Sequence, residues 1–234
     1  MGFKELLMLQ IIAHLFLDYF FQTDKLAQQK NSAGFKTSFL YWHALVCFFL
    51  SLLFSLQISF GFAALLIAVT HLLLDGFKPA LARNKFTGPY VYFLDQALHL
   101  IIIAIVVFLF HKWHGITLAW DIRINFRYML MVTGYLICLK PANIFIKEVF
   151  RATGIQVSSD NEMPNAGKVI GVLERILTLT LIIVYQYSAV GFLIAAKSIL
   201  RYRPDETLKT EYVLIGTMLS FGIAVIAGIV INLF

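Results

Sequence analysis

The stretch SFGFAALLIAVTHLLLDGF (59–77) decides the fold. It carries no charge before Asp75. At a rise of about 1.5 Å per residue it is long enough to cross a hydrocarbon core of roughly 30 Å as a single helix. A second run, LIIIAIVVFLF (100–110), is apolar throughout. Neither alternates apolar and polar residues as a strand between lipid and a lumen does, so a transmembrane β-barrel is set aside.

The rest of the chain repeats this pattern. Of 234 residues, 60% are hydrophobic, 22 are Phe and only 14% are charged. The mean hydropathy of +0.81 lies well outside the range of a soluble domain. Apolar runs at 6–22, 38–57, 59–77, 90–111, 126–147, 168–188 and 211–234 each approach the length of a spanning helix. The expectation is an all-α, polytopic transmembrane bundle of about seven spans. It forms one integral membrane domain over 1–234, with a first half at 1–112 and a second at 126–234.

Three local features modify that plan. The link LQISFG (56–61) is short enough to make the second and third spans an antiparallel hairpin. Lys140-Pro141 predicts a kink in the fifth span. The stretch 168–203 is too long for one straight crossing, which predicts a break near QYSAVG (186–191). An interfacial or re-entrant helix at 192–203, bearing Lys197, Ser198, Arg201 and Arg203, then follows. The longest polar stretch, 151–167, is rich in turn formers and reads as a loop.

The net charge of +6 and a pI near 9.3 do not point to nucleic acid, because Lys and Arg fall mostly in loops and at helix ends. The positive-inside rule accounts for them. Cys47 and Cys138 lie in apolar stretches and read as packing residues. The first run holds His14 and Asp18 and lacks a small-residue cleavage site, so it reads as a retained helix rather than a signal peptide.

Function is sought in the polar residues inside these spans. His14, His43, His71 and His99 lie within them, together with Asp18, Asp75 and Asp95. The pairs His14/Asp18, His71/Asp75 and Asp95/His99 are each four residues apart, and so share a helix face. Following each helix through the bilayer puts all seven at one depth in one leaflet. Charged groups at that depth are costly and mark functional sites, and a bound cation offsets the cost. Imidazole with carboxylate suits a divalent metal, zinc above all, with manganese or iron as alternatives. Seven donors suffice for one or two ions. A buried His/Asp pair that only joins helices is the competing explanation for any single pair.

Several neighbours bear on the site. Lys25, Lys30, Lys36, Lys78, Arg83 and Lys85 lie in the loops at that end of the first four spans, which predicts a site facing the cytoplasm. Lys78 follows Asp75 at the membrane surface, where it could hold a phosphate or snorkel as an anchor. Gln22, Asp24 and Gln96 lie next to the cluster; Gln22, four residues after Asp18, is a candidate to orient it, and the Gln and Asp after the first helix read equally as a solvated cap. Glu174, beside Arg175 in the sixth span, is a candidate general acid/base or a partner in a structural ion pair.

The phrases HLFLDYFFQTDKLAQQK, HLLLDGFK, LDQALHL and GVLERILTL, with AAKSILR and EYVLIGTMLS, resemble a bacterial inner-membrane family known as domain of unknown function 3307. The resemblance runs over nearly the whole chain. It implies an inner-membrane location and names no reaction. Locally, the His-x-x-x-Asp spacing looks like ligand spacing in zinc-dependent phospholipases C and related membrane-bound hydrolases. That likeness implies His14, Asp18, His71 and Asp75 as ligands, although their His-x-x-x-Glu pair has no match here.

The expected function is a membrane-embedded, metal-dependent hydrolase acting on a lipid or lipid-linked substrate, such as a phosphoester. The expected partners are membrane lipids and that substrate, with no nucleic acid. A proton- or cation-coupled transporter using the same residues is the alternative. A metal that only staples the bundle is a third possibility. A metal-dependent oxygenase ranks lower, because such enzymes carry His-x-x-(x)-His clusters richer than this one.

Overall fold

The structure, a computed structural model, describes residues 2–114, 125–155, 166–201 and 207–234. These residues are helical, with no strand among them, and divide into two compact units, Met1–Met129 and Leu130–Phe234. The expected bundle is therefore present, as two packed units rather than one.

The first unit contains α1 (Phe3–Leu15), α2 (Asp24–Ala33), α3 (Ser38–Ser55), α4 (Gly61–Arg83) and α5 (Val91–His114). α3 and α4 form the expected hairpin through a 3-10 turn at Ile58–Phe60. α1 packs on α3 and α5, and α4 packs on α3 and α5. On α4 the buried residues Ala63, Ala64, Ile67, Ala68, His71 and Asp75 form one stripe, while Phe62, Leu65, Leu66, Val69 and Leu73 are exposed. A helix with small and polar residues inside and large apolar residues outside suits lipid as solvent. One end of the unit is closed by Leu6, Phe60, Ala64, Val107 and Phe110, with the Phe60 and Phe110 rings 4.9 Å apart.

The predicted first span (6–22) does not end as a simple helix. After Leu15 the chain widens into a π-helical turn, Phe16–Phe20, in which the Phe21 N–H bonds the Phe16 carbonyl at 2.9 Å. It then bends by 96° into α2, whose first turn is capped by Thr23 Oγ1 accepting from the Leu26 N–H. α2 returns against α4 through two glycines. Gly34 sits at φ 53°, and a Cβ there would stand 2.6 Å from the Gly76 carbonyl. A Cβ on Gly76 would stand 2.2 Å from the Phe35 ring.

The second unit holds most of α6 (Phe126–Cys138), then α7 (Lys140–Thr153), α8 (Ala166–Ile183), α9 (Tyr187–Arg201) and α10 (Thr207–Asn232). The Lys140-Pro141 kink is a 50° bend between α6 and α7. The break in the long stretch falls at residues 184–186, where QYSAVG begins, with Tyr185 at φ 60°. The loop expected at 151–167 is partly taken up by the ends of α7 and α8, and its centre, 156–165, lies outside the described residues, as does Arg203.

Among the described residues, four helices are individually long and apolar enough to cross a membrane, and six spans result if each bent pair counts as one. The expected sixth span, 168–188, corresponds to α8, which carries three charges, Lys168, Glu174 and Arg175, within its length.

If the Gly34/Gly76 contact holds α2 in place, Gly76→Val should destabilise the protein by about 1–3 kcal/mol through overpacking against Phe35. A lowered thermal midpoint in detergent, partly recovered by adding Phe35→Ala, checks this.

Candidate metal centre

α1 and the π turn after it, with α3, α4 and α5, bring His14, Asp18, His43, His71, Asp75, Asp95 and His99 into one buried cluster. Each is between 1% and 7% exposed. The His71 ring is central, its centroid 4.2 Å from that of His99, 5.1 Å from His43 and 5.7 Å from His14.

Two triangles of donor atoms share the edge between His43 and His71, whose Nε2 atoms lie 3.1 Å apart. On one side Asp75 Oδ2 lies 3.2 Å from His71 Nε2 and 3.7 Å from His43 Nε2. On the other, Asp18 Oδ1 lies 3.1 Å from His43 Nε2 and 3.4 Å from His71 Nε2. Donors each 2.0–2.1 Å from a tetrahedral zinc would lie about 3.3–3.4 Å from one another, so these edges match a coordination face. Three groups satisfy a mutual-proximity limit of 4.8 Å: His14/Asp18/His71, His43/His71/Asp75 and Asp75/Asp95/His99.

The last group carries a further sign. His99 Nδ1 lies 2.7 Å from the Asp95 carbonyl, which can only accept, so the proton belongs on Nδ1 and the lone pair on Nε2. His99 Nε2 is buried with no hydrogen-bond partner, and so is Asp75 Oδ1. A histidine held through Nδ1–H with a bare Nε2 is in the orientation a metal ligand requires.

Lys30 is the residue that sequence reasoning placed elsewhere. Expected as a loop charge, it is instead 2% exposed, and its Nζ donates to Asp75 Oδ2 at 2.7 Å and lies 3.1 Å from His43 Nε2. The 96° bend before α2 and the Gly34 turn after it carry this ammonium into the cluster. No spacing in the sequence signals it, because α2 meets α4 only through tertiary contact. His43 Nε2 thus faces an ammonium and a carboxylate at once, and no tautomer serves both.

Lys78 Nζ donates to Asp95 Oδ2 at 2.7 Å, and its side chain is 12% exposed. Gln96, half-buried, donates to Asp18 Oδ2 at 3.3 Å and Asp95 Oδ2 at 3.2 Å, and accepts from Tyr19 Oη at 3.1 Å. Gln22 reaches the main-chain carbonyl of Asp18 rather than its carboxylate. A cavity of about 10 Å³, the space of one water, adjoins His14, His71, Gln10 and Ser51. Glu174 belongs to the second unit, where it pairs with Lys197.

The fold and these residues define a polytopic membrane protein with a buried His/Asp/Lys cluster in its first unit. The chain belongs to the family described as Protein of unknown function (DUF3307), whose model matches residues 6–131. That match spans every residue of the cluster and stops near the boundary between the units, short of the near-complete resemblance expected. No curated protein and no solved structure matches the chain. The likeness to zinc phospholipases C therefore rests on spacing alone.

Removing one member of a buried ion pair leaves an unpaired charge, at a cost of about 3–5 kcal/mol. In protein stripped with a chelator, Lys30→Met should lower stability by that order. Lys30→Met combined with Asp75→Asn should recover most of it, as measured by denaturation in detergent.

Proposed function

We propose that the first unit holds a divalent metal ion, with zinc the best match to its nitrogen and oxygen donors, and hydrolyses a lipid or lipid-linked substrate. The observation that carries this reading is the pair of buried, unpartnered ligand atoms, His99 Nε2 and Asp75 Oδ1, within one three-donor group. Leaving such atoms unsatisfied in an apolar interior is costly, and a cation relieves the cost. Charge points the same way. With the histidines neutral, three carboxylates face two ammoniums, Lys30 and Lys78, and a negative charge remains. Asp75, shared by two of the donor groups, is the natural bridge if two ions bind; manganese or iron would suit the same donors.

A bound divalent ion would supply Lewis acidity and an activated water. The chain's residues would do the rest. His99 and the histidines around His71 orient donors, and Lys30 holds Asp75. Lys78, at the more open edge, is placed to meet an anionic substrate group such as a phosphoryl oxygen. Hydrolysis, rather than passage of an ion, is supported by the one-sided layout. The polar network gathers at one end, while Leu6, Phe60, Val107 and Phe110 close the other. Loop residues Lys25, Lys36, Arg83 and Lys85 at the polar end favour a cytoplasmic-facing site in a bacterial inner membrane.

Cation or proton transport is the second reading, favoured by two polar stripes. Gln10, His14 and Asp18 repeat every four residues along α1 and the π turn after it, as do His43, Cys47, Ser51 and Ser55 on α3, and all are buried. Ser51 Oγ donates to Gln10 Oε1 at 2.6 Å, joining the stripes below the cluster.

Elemental analysis of purified protein tests the metal. Wild type should contain stoichiometric zinc, manganese or iron, and His99→Ala and Asp75→Asn should each lower its affinity by about 10–100-fold or more. Wild type without transition metal after loading and desalting would end the metal reading. With metal present, turnover of lipid phosphoesters, esters or amides that chelator abolishes supports the hydrolase. Metal-dependent flux in proteoliposomes without turnover supports transport.

A further inference from the structure

The second unit contains a buried guanidinium that neither the family match nor the proposed metal centre uses. Arg175, on α8, is 1% exposed and is among the largest fully buried side chains. Its Nε donates to the Cys138 carbonyl at 2.8 Å, Nη1 to Ser220 Oγ at 2.9 Å and Nη2 to Asn143 Oδ1 at 2.7 Å. All three acceptors are neutral. No carboxylate among the described residues lies within ion-pair distance of Arg175, and the adjacent Glu174 is paired with Lys197. Described residues thus occupy three of the five N–H donors of the guanidinium.

A buried charge hydrogen-bonded only to neutral groups keeps most of its desolvation cost. Beside this one is space. Arg175, Asn143, Lys197, Tyr212, Thr217 and Ser220 line a cavity of about 230 Å³. Gly167, Gly171 and Gly216 also border it, so three stretches of its wall are bare backbone. The guanidinium is held rigidly by three helices, through Cys138 at the end of α6, Asn143 on α7 and Ser220 on α10. A planar cation fixed in this way, with hydroxyl groups around it, suits a tetrahedral oxyanion.

We propose that this cavity binds a phosphate group, with Arg175 as its counter-charge and the hydroxyls of Thr217, Ser220 and Tyr212 as further partners. The phosphate belongs either to a free phosphate compound or to a phospholipid headgroup. Its ligand supplies the negative charge that no described residue places within ion-pair distance of Arg175. The inference stands on residues of the second unit alone and does not depend on the metal centre.

The test uses the full chain, purified in neutral detergent, with inorganic phosphate and with short-chain phosphatidylglycerol as separate probes, and phosphatidylcholine-free detergent as the baseline. Thermal unfolding and direct titration are read together. Asn143→Asp is the decisive variant, because it is isosteric, keeps the 2.7 Å hydrogen bond and provides the missing counter-charge in place. Binding of either probe to wild type, weakened about tenfold or more in Asn143→Asp and in Arg175→Gln, is the expected result. Phosphate binding identifies a soluble ligand, and binding of the lipid alone identifies a headgroup. Asn143→Asp should also raise the thermal midpoint of the ligand-free protein, a readout that survives if Arg175→Gln does not fold. Wild type that binds neither probe, or Asn143→Asp that binds as wild type does, would overturn the proposal.

Discussion

The ion pair between Lys30 and Asp75 is the contact on which the first unit depends. An ammonium and a carboxylate buried in an apolar bundle are tolerated only when each meets the other with good geometry. Their 2.7 Å contact ties α2 to α4. For Lys30 to arrive there, the first span must end in a π turn, bend by 96° and return close to α4 at Gly34 and Gly76. The irregular backbone of this region is thus a consequence of one charge seeking its partner. π turns within helices recur at functional sites, and here the turn carries Asp18, whose Oδ1 faces both His43 and His71.

The same constraint orders the rest of the cluster. Two of the three buried carboxylates meet an ammonium, Asp75 with Lys30 and Asp95 with Lys78, while Asp18 is surrounded by imidazoles and Gln96. The histidines absorb what the lysines do not. The two bare ligand atoms, on His99 and Asp75, stand out because their neighbours are satisfied. The second unit solves its charge problem differently. Glu174 and Lys197 neutralise one another, and Arg175 is left with neutral acceptors beside a cavity. Each unit thereby shows where its chemistry lies by where its charges fail to balance.

Much of the site was legible before the fold was known, for a definite reason. His14/Asp18, His71/Asp75 and Asp95/His99 are local pairs at a helical repeat, and a hydrophobic span reveals its own polar exceptions. Direction of travel through the bilayer then aligns them. Lys30 was not legible, because a lysine in a short polar segment looks the same in solvent as in a core. Nor was the pairing at Arg175 legible, since the Glu beside it in sequence turns to Lys197 and no described carboxylate takes its place.

The sequence by itself determined an all-helical membrane fold, the hairpin of α3 and α4, the kink at Lys140-Pro141 and the seven His and Asp residues that meet in the first unit. These follow from hydrophobic length, proline chemistry and helical period, which are properties of neighbouring residues. Tertiary structure alone decided the entry of Lys30, the two bare ligand atoms, the division into two units and the cavity beside Arg175. Those depend on which distant helices touch, and a single strand of residues carries no record of the energy gained when two buried charges meet.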